Sequence, residues 1–204
     1  MTRIWYTLVW CCCWTICKLM FRFRWSGQEN VPADGPVLVV SNHQSHLDPV
    51  LVAIGCPRQM KFLAKQGLFF WPLAWLIRSL GAVPIDRSGG GLSGFKATLR
   101  LLKEGQPVLV FPEGTRSPDG RLQPLLPGFC ALARRSGATL VPAALSGAYA
   151  AMPRGCRLPR PRPITLRFGA PIPSQQYGPL SDAQLTELVR LKLIECGATI
   201  ACGD

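Results

Sequence analysis

The chain has 204 residues, which suits one domain with a sizeable core and leaves little room for a second. Its 23 Lys and Arg stand against 11 acidic residues, a formal net charge of +12 that favours anionic partners. No uniform basic helix, zinc-finger spacing or aromatic-basic RNA motif is present, so no nucleic-acid partner is expected; 48% hydrophobic residues and a mean hydropathy of +0.19 point to a membrane surface instead. Residues Ile4 to Met20 are apolar apart from Thr7, Thr15 and Lys18, and reach roughly 25 Å as a helix, at the low end for a span. Trp5, Tyr6, Trp10 and Trp14 are rings of the kind enriched at membrane interfaces. A cleavable signal peptide does not fit, because FRFRWSG lacks a small-residue cleavage site. A buried helix and a spanning helix are the alternatives; a monotopic or shallowly inserted anchor over residues 1–26 is the expected arrangement, with a single domain over 27–204. Four of the nine cysteines lie in this stretch and no CxxC occurs. That argues against a disulfide framework or a zinc site and for a reducing compartment.

After a polar, turn-rich break from Gly27 to Pro36, Val37 to Val40 reads as a strand buried on both faces. Val50 to Ile54 reads as a helix stopping at Gly55. Lys61 to Leu80 is a second greasy stretch with cationic borders, expected to be partly core and partly membrane-docking through Phe69, Phe70 and Trp75. A short strand from Gly81 to Ile85 and a glycine-rich loop lead to a helix from about Phe95 to Glu104, stopped by Gly105. Strand-like Pro107 to Phe111 precedes a helix at Phe129 to Arg135. Thr139 to Ala144 and Ile164 to Gly169 read as further strands, and a capping box at Ser181 to Gln184 opens a final helix. Strands alternating with helices imply an α/β domain with a mainly parallel central sheet flanked by helices, whose sites gather beyond the carboxyl ends of the strands.

Two polar clusters fall at such ends. The first holds His43 and Asp48, about 140° apart on an unbroken helix, so they meet only if the backbone folds back. Asp48-Pro49 suits a helix start with Asp as N-cap, leaving His43 in the preceding loop where a carboxylate can fix its tautomer. By spacing alone, Asp48 reads equally as a plain cap, with His43 and His46 as ordinary polar loop residues. The second cluster, Phe111 to Ser117, offers Glu113, Gly114, Thr115 and Arg116. Gly114 allows close backbone approach and Arg116 presents a fork suited to phosphate. Arg87, after the preceding strand, is a further cation expected to converge with Arg116.

NHQSHLDP (residues 42–49) resembles the NHxxxxD motif of the glycerolipid acyltransferases, of which the 1-acyl-sn-glycerol-3-phosphate acyltransferases are the best known. GAVPIDR resembles that family's second motif, FPEGTRS its third and Val141-Pro142-Ala143 its fourth, in family order over half of the chain. The resemblance implies acyl transfer from acyl-coenzyme A or acyl-carrier protein to the free hydroxyl of lysophosphatidic acid, giving phosphatidic acid, with no bound cofactor and no metal. It implies His43 as general base, oriented by Asp48, and favours His43 over His46. No GxSxG elbow is present, so no covalent serine nucleophile is expected. Arg87, Glu113, Gly114, Thr115 and Arg116 are carried over as the acceptor-phosphate site. Glu113 itself, being anionic, is expected to orient Arg116 or the loop backbone. The membrane-associated enzyme would sit on the cytoplasmic face of the cell membrane. Another lyso-lipid acceptor, such as a lyso-ornithine lipid, and a non-catalytic lipid-binding protein are the competing readings.

Overall fold

The structure, a computed structural model, describes residues 3–68, 73–85, 91–156 and 158–200. Its strands are β1 (Arg24–Ser26), β2 (Val37–Ser41), β3 (Lys61–Lys65), β4 (Ala82–Ile85), β5 (Pro107–Val110), β6 (Thr139–Ser146) and β7 (Thr165–Phe168). They form one sheet in the order β1-β7-β6-β2-β5-β3-β4. Every neighbouring pair is parallel except β6 and β7, so β7 and β1 run against the other five. The helices are α1 (Arg3–Phe21), α2 (Asp48–Gly55), α3 (Leu73–Ser79), α4 (Leu92–Lys103), α5 (Gly128–Ser136), α6 (Ala148–Ala151), α7 (Ser174–Tyr177) and α8 (Asp182–Glu195).

Strand β2 shows why the sheet is central. Val37 to Val40 are all fully buried, because alternate side chains enter different cores. Val37 and Val39 pack with α1, α2 and α3, whereas Leu38 and Val40 pack with α4, α5 and α8. The expected mainly parallel α/β sheet flanked by helices is therefore what the chain builds. Helix α2 seats close against β7 at Gly55, where a Cβ would lie 2.5 Å from Leu166 Cδ2 and displace that side chain. The capping box of α8 forms as expected: Gln184 N–H donates to Ser181 Oγ at 3.2 Å and Ser181 N–H to Gln184 Oε1 at 2.8 Å.

Three local expectations need correction. Helix α2 is capped by Leu47, with Asp48 already inside and Gly55 its last residue, and no side chain caps it. Lys61 to Leu80 divides into β3, a 3-10 turn at Gln66–Leu68 and α3; Phe62 and Ala64 of β3 are core, while Phe69 and Phe70 lie outside the described residues. Residues 1–26 are not set apart from the core. Val9, Cys13, Cys17 and Phe21 of α1 pack into it, Trp10 Nε1 donates to Ile54 O at 3.1 Å, and Arg24 to Ser26 form the edge strand β1 beside β7. The other side of α1 is open: Leu8, Ile16 and Leu19 are exposed, with Lys18 and Arg22 beside them. Among the described residues no helix is long and apolar enough to cross a membrane.

Candidate active site

The parallel strands β2 and β5 are neighbours, and their carboxyl ends carry the two polar clusters. Just past β2, the buried Asn42 replaces the strand ladder with its side chain. Its Nδ2 donates to Leu145 O at 2.9 Å and its Oδ1 accepts from Leu145 N–H at 2.8 Å. That clamp ends the strand and turns the chain into the loop bearing His43.

Asp48, at the start of α2, folds its carboxylate back over the same loop. Oδ2 accepts from Gln44 N–H at 2.5 Å and from Ser45 N–H at 2.7 Å, and lies 2.8 Å from His43 Nδ1. Backbone N–H groups can only donate, so this oxygen is an acceptor and Nδ1 must carry the proton toward it. Nε2 is thereby left with its lone pair free, the tautomer a general base needs. The side chain of Asp48 is fully buried and that of His43 is 18% exposed. Burial pushes the Asp48 carboxyl above the ordinary carboxylate range, and the imidazole and the two N–H donors pull it back. The His43 ring stacks on Phe111 with centroids 4.0 Å apart, which fixes its plane.

His46 is exposed and does not bond to Asp48. Partial desolvation by the protein around it, then the charges of Arg116 and His43, push its pKa down. The hydrogen-bonded pair is thus His43 with Asp48.

Glu113 is built into the frame of this loop. It is 6% exposed; its Oε1 accepts from His43 N–H at 2.6 Å and its Oε2 from Gln123 N–H at 3.0 Å. Ser117 N–H donates to His43 O at 2.7 Å, so both backbone polar groups of His43 are held by the segment after β5. Burial raises the Glu113 carboxyl to about 7 against the pull of the two N–H donors. Gly114 adopts φ 70° in an exposed turn with Thr115, and Arg116 is half-buried beyond it. Arg116 feels the charge of Asp48 and itself lowers the pKa of His46, so its guanidinium lies within electrostatic range of the pair. Arg87 lies outside the described residues. The strand before it, β4, is separated from β5 by β3, so these two strand ends are not neighbours.

Several residues that sequence reasoning quoted without a role prove structural to the site. Beyond Asn42 they include Gln44, whose Nε2 donates to Gly120 O at 2.7 Å, and Ser45, whose hydroxyl donates to Met152 O at 2.8 Å. Their only signal was position inside the NHxxxxD segment.

The acyltransferase family model matches residues 22–146, which carry both clusters. The chloroplast 1-acyl-sn-glycerol-3-phosphate acyltransferase of Arabidopsis thaliana is 37% identical over 139 residues, covering 66% of this chain and 39% of that protein. The chain thus spans about two fifths of the length of the chloroplast relatives it matches. The 1-acyl-sn-glycerol-3-phosphate acyltransferase of Bacillus subtilis is 31% identical over 175 residues, 82% of this chain and 84% of that protein. The crystal structure of the 1-acyl-sn-glycerophosphate (LPA) acyltransferase PlsC from Thermotoga maritima superposes with a TM-score of 0.79 at 27% identity, covering 93% of this chain and 77% of that one. A shared sheet, a dyad in its loop and a family match over more than half of the sequence lead to one conclusion: this chain belongs to the acyltransferase family that includes the 1-acyl-sn-glycerol-3-phosphate acyltransferases.

Proposed function

We propose that the chain moves a fatty acyl group from an acyl thioester to the free hydroxyl of 1-acyl-sn-glycerol 3-phosphate, giving phosphatidic acid for phospholipid synthesis. The observation that carries this reading is the His43–Asp48 pair, with Nδ1 committed to the carboxylate and Nε2 free. Nε2 takes the hydroxyl proton as the oxygen attacks the thioester carbonyl; the C–O bond forms, the C–S bond breaks, and the proton passes from the imidazolium to the departing thiolate. Asp48 holds the ring and stabilises its cationic form. The donor is acyl-coenzyme A or acyl-carrier protein, consumed as a substrate. The names of the relatives in Arabidopsis thaliana and Bacillus subtilis support lysophosphatidate as acceptor.

Arg116, within electrostatic range of the pair, is the cation for the acceptor phosphate, with the Gly114–Thr115 turn and Arg87 as the other parts of that subsite. Glu113, whose two oxygens are engaged by backbone, serves it by holding the loop. The enzyme works at the cytoplasmic face of an anionic membrane. Support comes from the open side of α1, where Leu8, Ile16 and Leu19 are 54%, 58% and 79% exposed beside Lys18 and Arg22, and from Trp75 of α3.

The test is direct. Purified chain in mixed micelles receives labelled acyl-coenzyme A or acyl-carrier protein with lysophosphatidate, and products are resolved by mass. Phosphatidate formed by the native chain and lost in His43→Ala supports the reading. Equal turnover in native chain and His43→Ala would remove it.

A further inference from the structure

Because β7 runs antiparallel to β6, with Ser146 opposite Thr165, residues 147–164 begin and end at the dyad end of the sheet. The first part of that excursion is fastened to the His43 loop. Tyr149 N–H donates to Gln44 Oε1 at 3.4 Å, the Tyr149 hydroxyl to Pro118 O at 2.7 Å, and the Ser45 hydroxyl to Met152 O at 2.8 Å. Arg160 N–H donates to Ala151 O at 2.7 Å and draws the two limbs of the loop together. Between them, Cys156 N–H donates to Pro153 O at 3.1 Å across a tight turn with Gly155 at φ 91°. Arg154 occupies the corner of that turn, two residues beyond the carbonyl held by Ser45, and is exposed.

Its neighbour in charge is Arg116. Burial first, and then the Arg154 guanidinium, hold Arg116 below the usual arginine range. Among the described residues no carboxylate forms an ion pair with Arg116 or Arg154. Elsewhere the chain pairs such cations, as Arg134 with Asp182 at 3.1 Å and Arg190 with Glu187 at 2.8 Å. The bonds from Tyr149 to Pro118 and from Ser45 to Met152 join the loop of Arg154 to the segment of Arg116 and the His43 loop. Two like-charged guanidiniums on loops so joined repel each other until an anion is shared between them, and a phosphate dianion offers enough oxygens for both forks.

We propose that Arg154 is a second phosphate ligand for the acceptor, closing with Arg116 on a phosphomonoester and thereby selecting it over lyso-lipids whose phosphate is a diester. This rests on the reading of Arg116 as the phosphate cation. A monoester carries a second negative charge and a third free oxygen, and Arg154 is the group that uses them. A phosphodiester headgroup lacks both.

The experiment compares Arg154→Gln, Arg154→Lys, Arg116→Gln and Arg160→Gln with the native chain. It measures kcat and KM for lysophosphatidate, and inhibition by sn-glycerol 3-phosphate. Losing one charged hydrogen-bonding partner should raise KM roughly 10- to 100-fold in Arg154→Gln, with kcat held within about threefold. The inhibition constant for sn-glycerol 3-phosphate should rise by a similar factor, Arg154→Lys should recover part of the loss, and Arg160→Gln should behave as native. An unchanged KM in Arg154→Gln beside a raised KM in Arg116→Gln overturns the role of Arg154 and leaves the Arg116 site standing. Unchanged values in both variants overturn the phosphate site itself. A fall in kcat with unaltered inhibition by sn-glycerol 3-phosphate overturns the proposal in favour of a purely structural turn.

Discussion

Glu113→Gln tests whether a buried carboxylate frames the dyad loop. Glu113 accepts two backbone N–H bonds, from His43 and Gln123, and burial raises it from 4.5 to about 7. Because the folded state binds this proton more tightly than the unfolded one, the proton-linked stability is fully present below about pH 4.5. It is lost as pH rises through about 7. At about 1.4 kcal/mol for each unit, native stability should fall by roughly 2 to 3 kcal/mol between about pH 5 and pH 8 through this residue alone. Glutamine has no proton to release, so the stability of native chain minus variant should decline by that amount over the same range. Asp48 is present in both proteins, and its contribution largely cancels in the difference. The amide nitrogen of glutamine must also face one of the two N–H donors, which removes a hydrogen bond worth roughly 1 to 3 kcal/mol at any pH. Urea unfolding in mild detergent, followed by circular dichroism at several pH values, measures both quantities. Parallel pH curves for the two proteins would refute the reasoning, because they would mean that Glu113 is ionised throughout and is stabilised by more than burial costs.

Replacing His43 with alanine should lower kcat by roughly 10² to 10⁴, whereas His46→Ala should keep much of the activity; steady-state rates on the labelled acyl donor decide between them. Asn42→Ala strands the N–H and the carbonyl of Leu145 in a buried site, and should cost roughly 2 to 4 kcal/mol in urea unfolding. Paired Ile16→Glu and Leu19→Glu changes, on the open side of α1, should abolish flotation with anionic liposomes while circular dichroism stays native; retained flotation would dismiss that surface.

The alternation of apolar runs with helical segments was enough to anticipate β2, β5, β6 and β7, because each carries its own hydrophobic signal. Strand β1 has none. Arg24-Trp25-Ser26 extends only because Thr165 to Arg167 offer a free edge, and a partner so remote leaves no mark in local sequence. Strand β3 was hidden for the opposite reason, since Phe62 and Ala64 sit in a run so apolar that no period stands out. In the site, His43 and Asp48 were identifiable from motif and helix-start chemistry. The bond that joins them is made by the fold-back that their spacing demands, since on an unbroken helix they would stand apart. Glu113 was recognisable as unsuited to phosphate, but its hold on His43 N–H joins residues 70 apart and depends on β2 and β5 being neighbours. The meeting of the loop that carries Arg154 with the segment after β5, through Tyr149 and Pro118, depends likewise on a reversal between β6 and β7 that no local pattern announces.

Helix α1 has two loyalties, and they bear on how the protein can be handled. A truncation starting at residue 27 would remove the long apolar N-terminal helix and look like a route to a soluble catalytic fragment. It would also strip Val9, Cys13, Cys17 and Phe21 from the core, delete the strand that covers β7, and break the bond from Ile164 N–H to Phe21 O at 3.0 Å. The fragment would gain an open sheet edge and an uncovered apolar face, the combination that drives aggregation. Solubility is better sought by recolouring the outer side of the helix, at Leu8, Ile16 and Leu19, than by cutting it away.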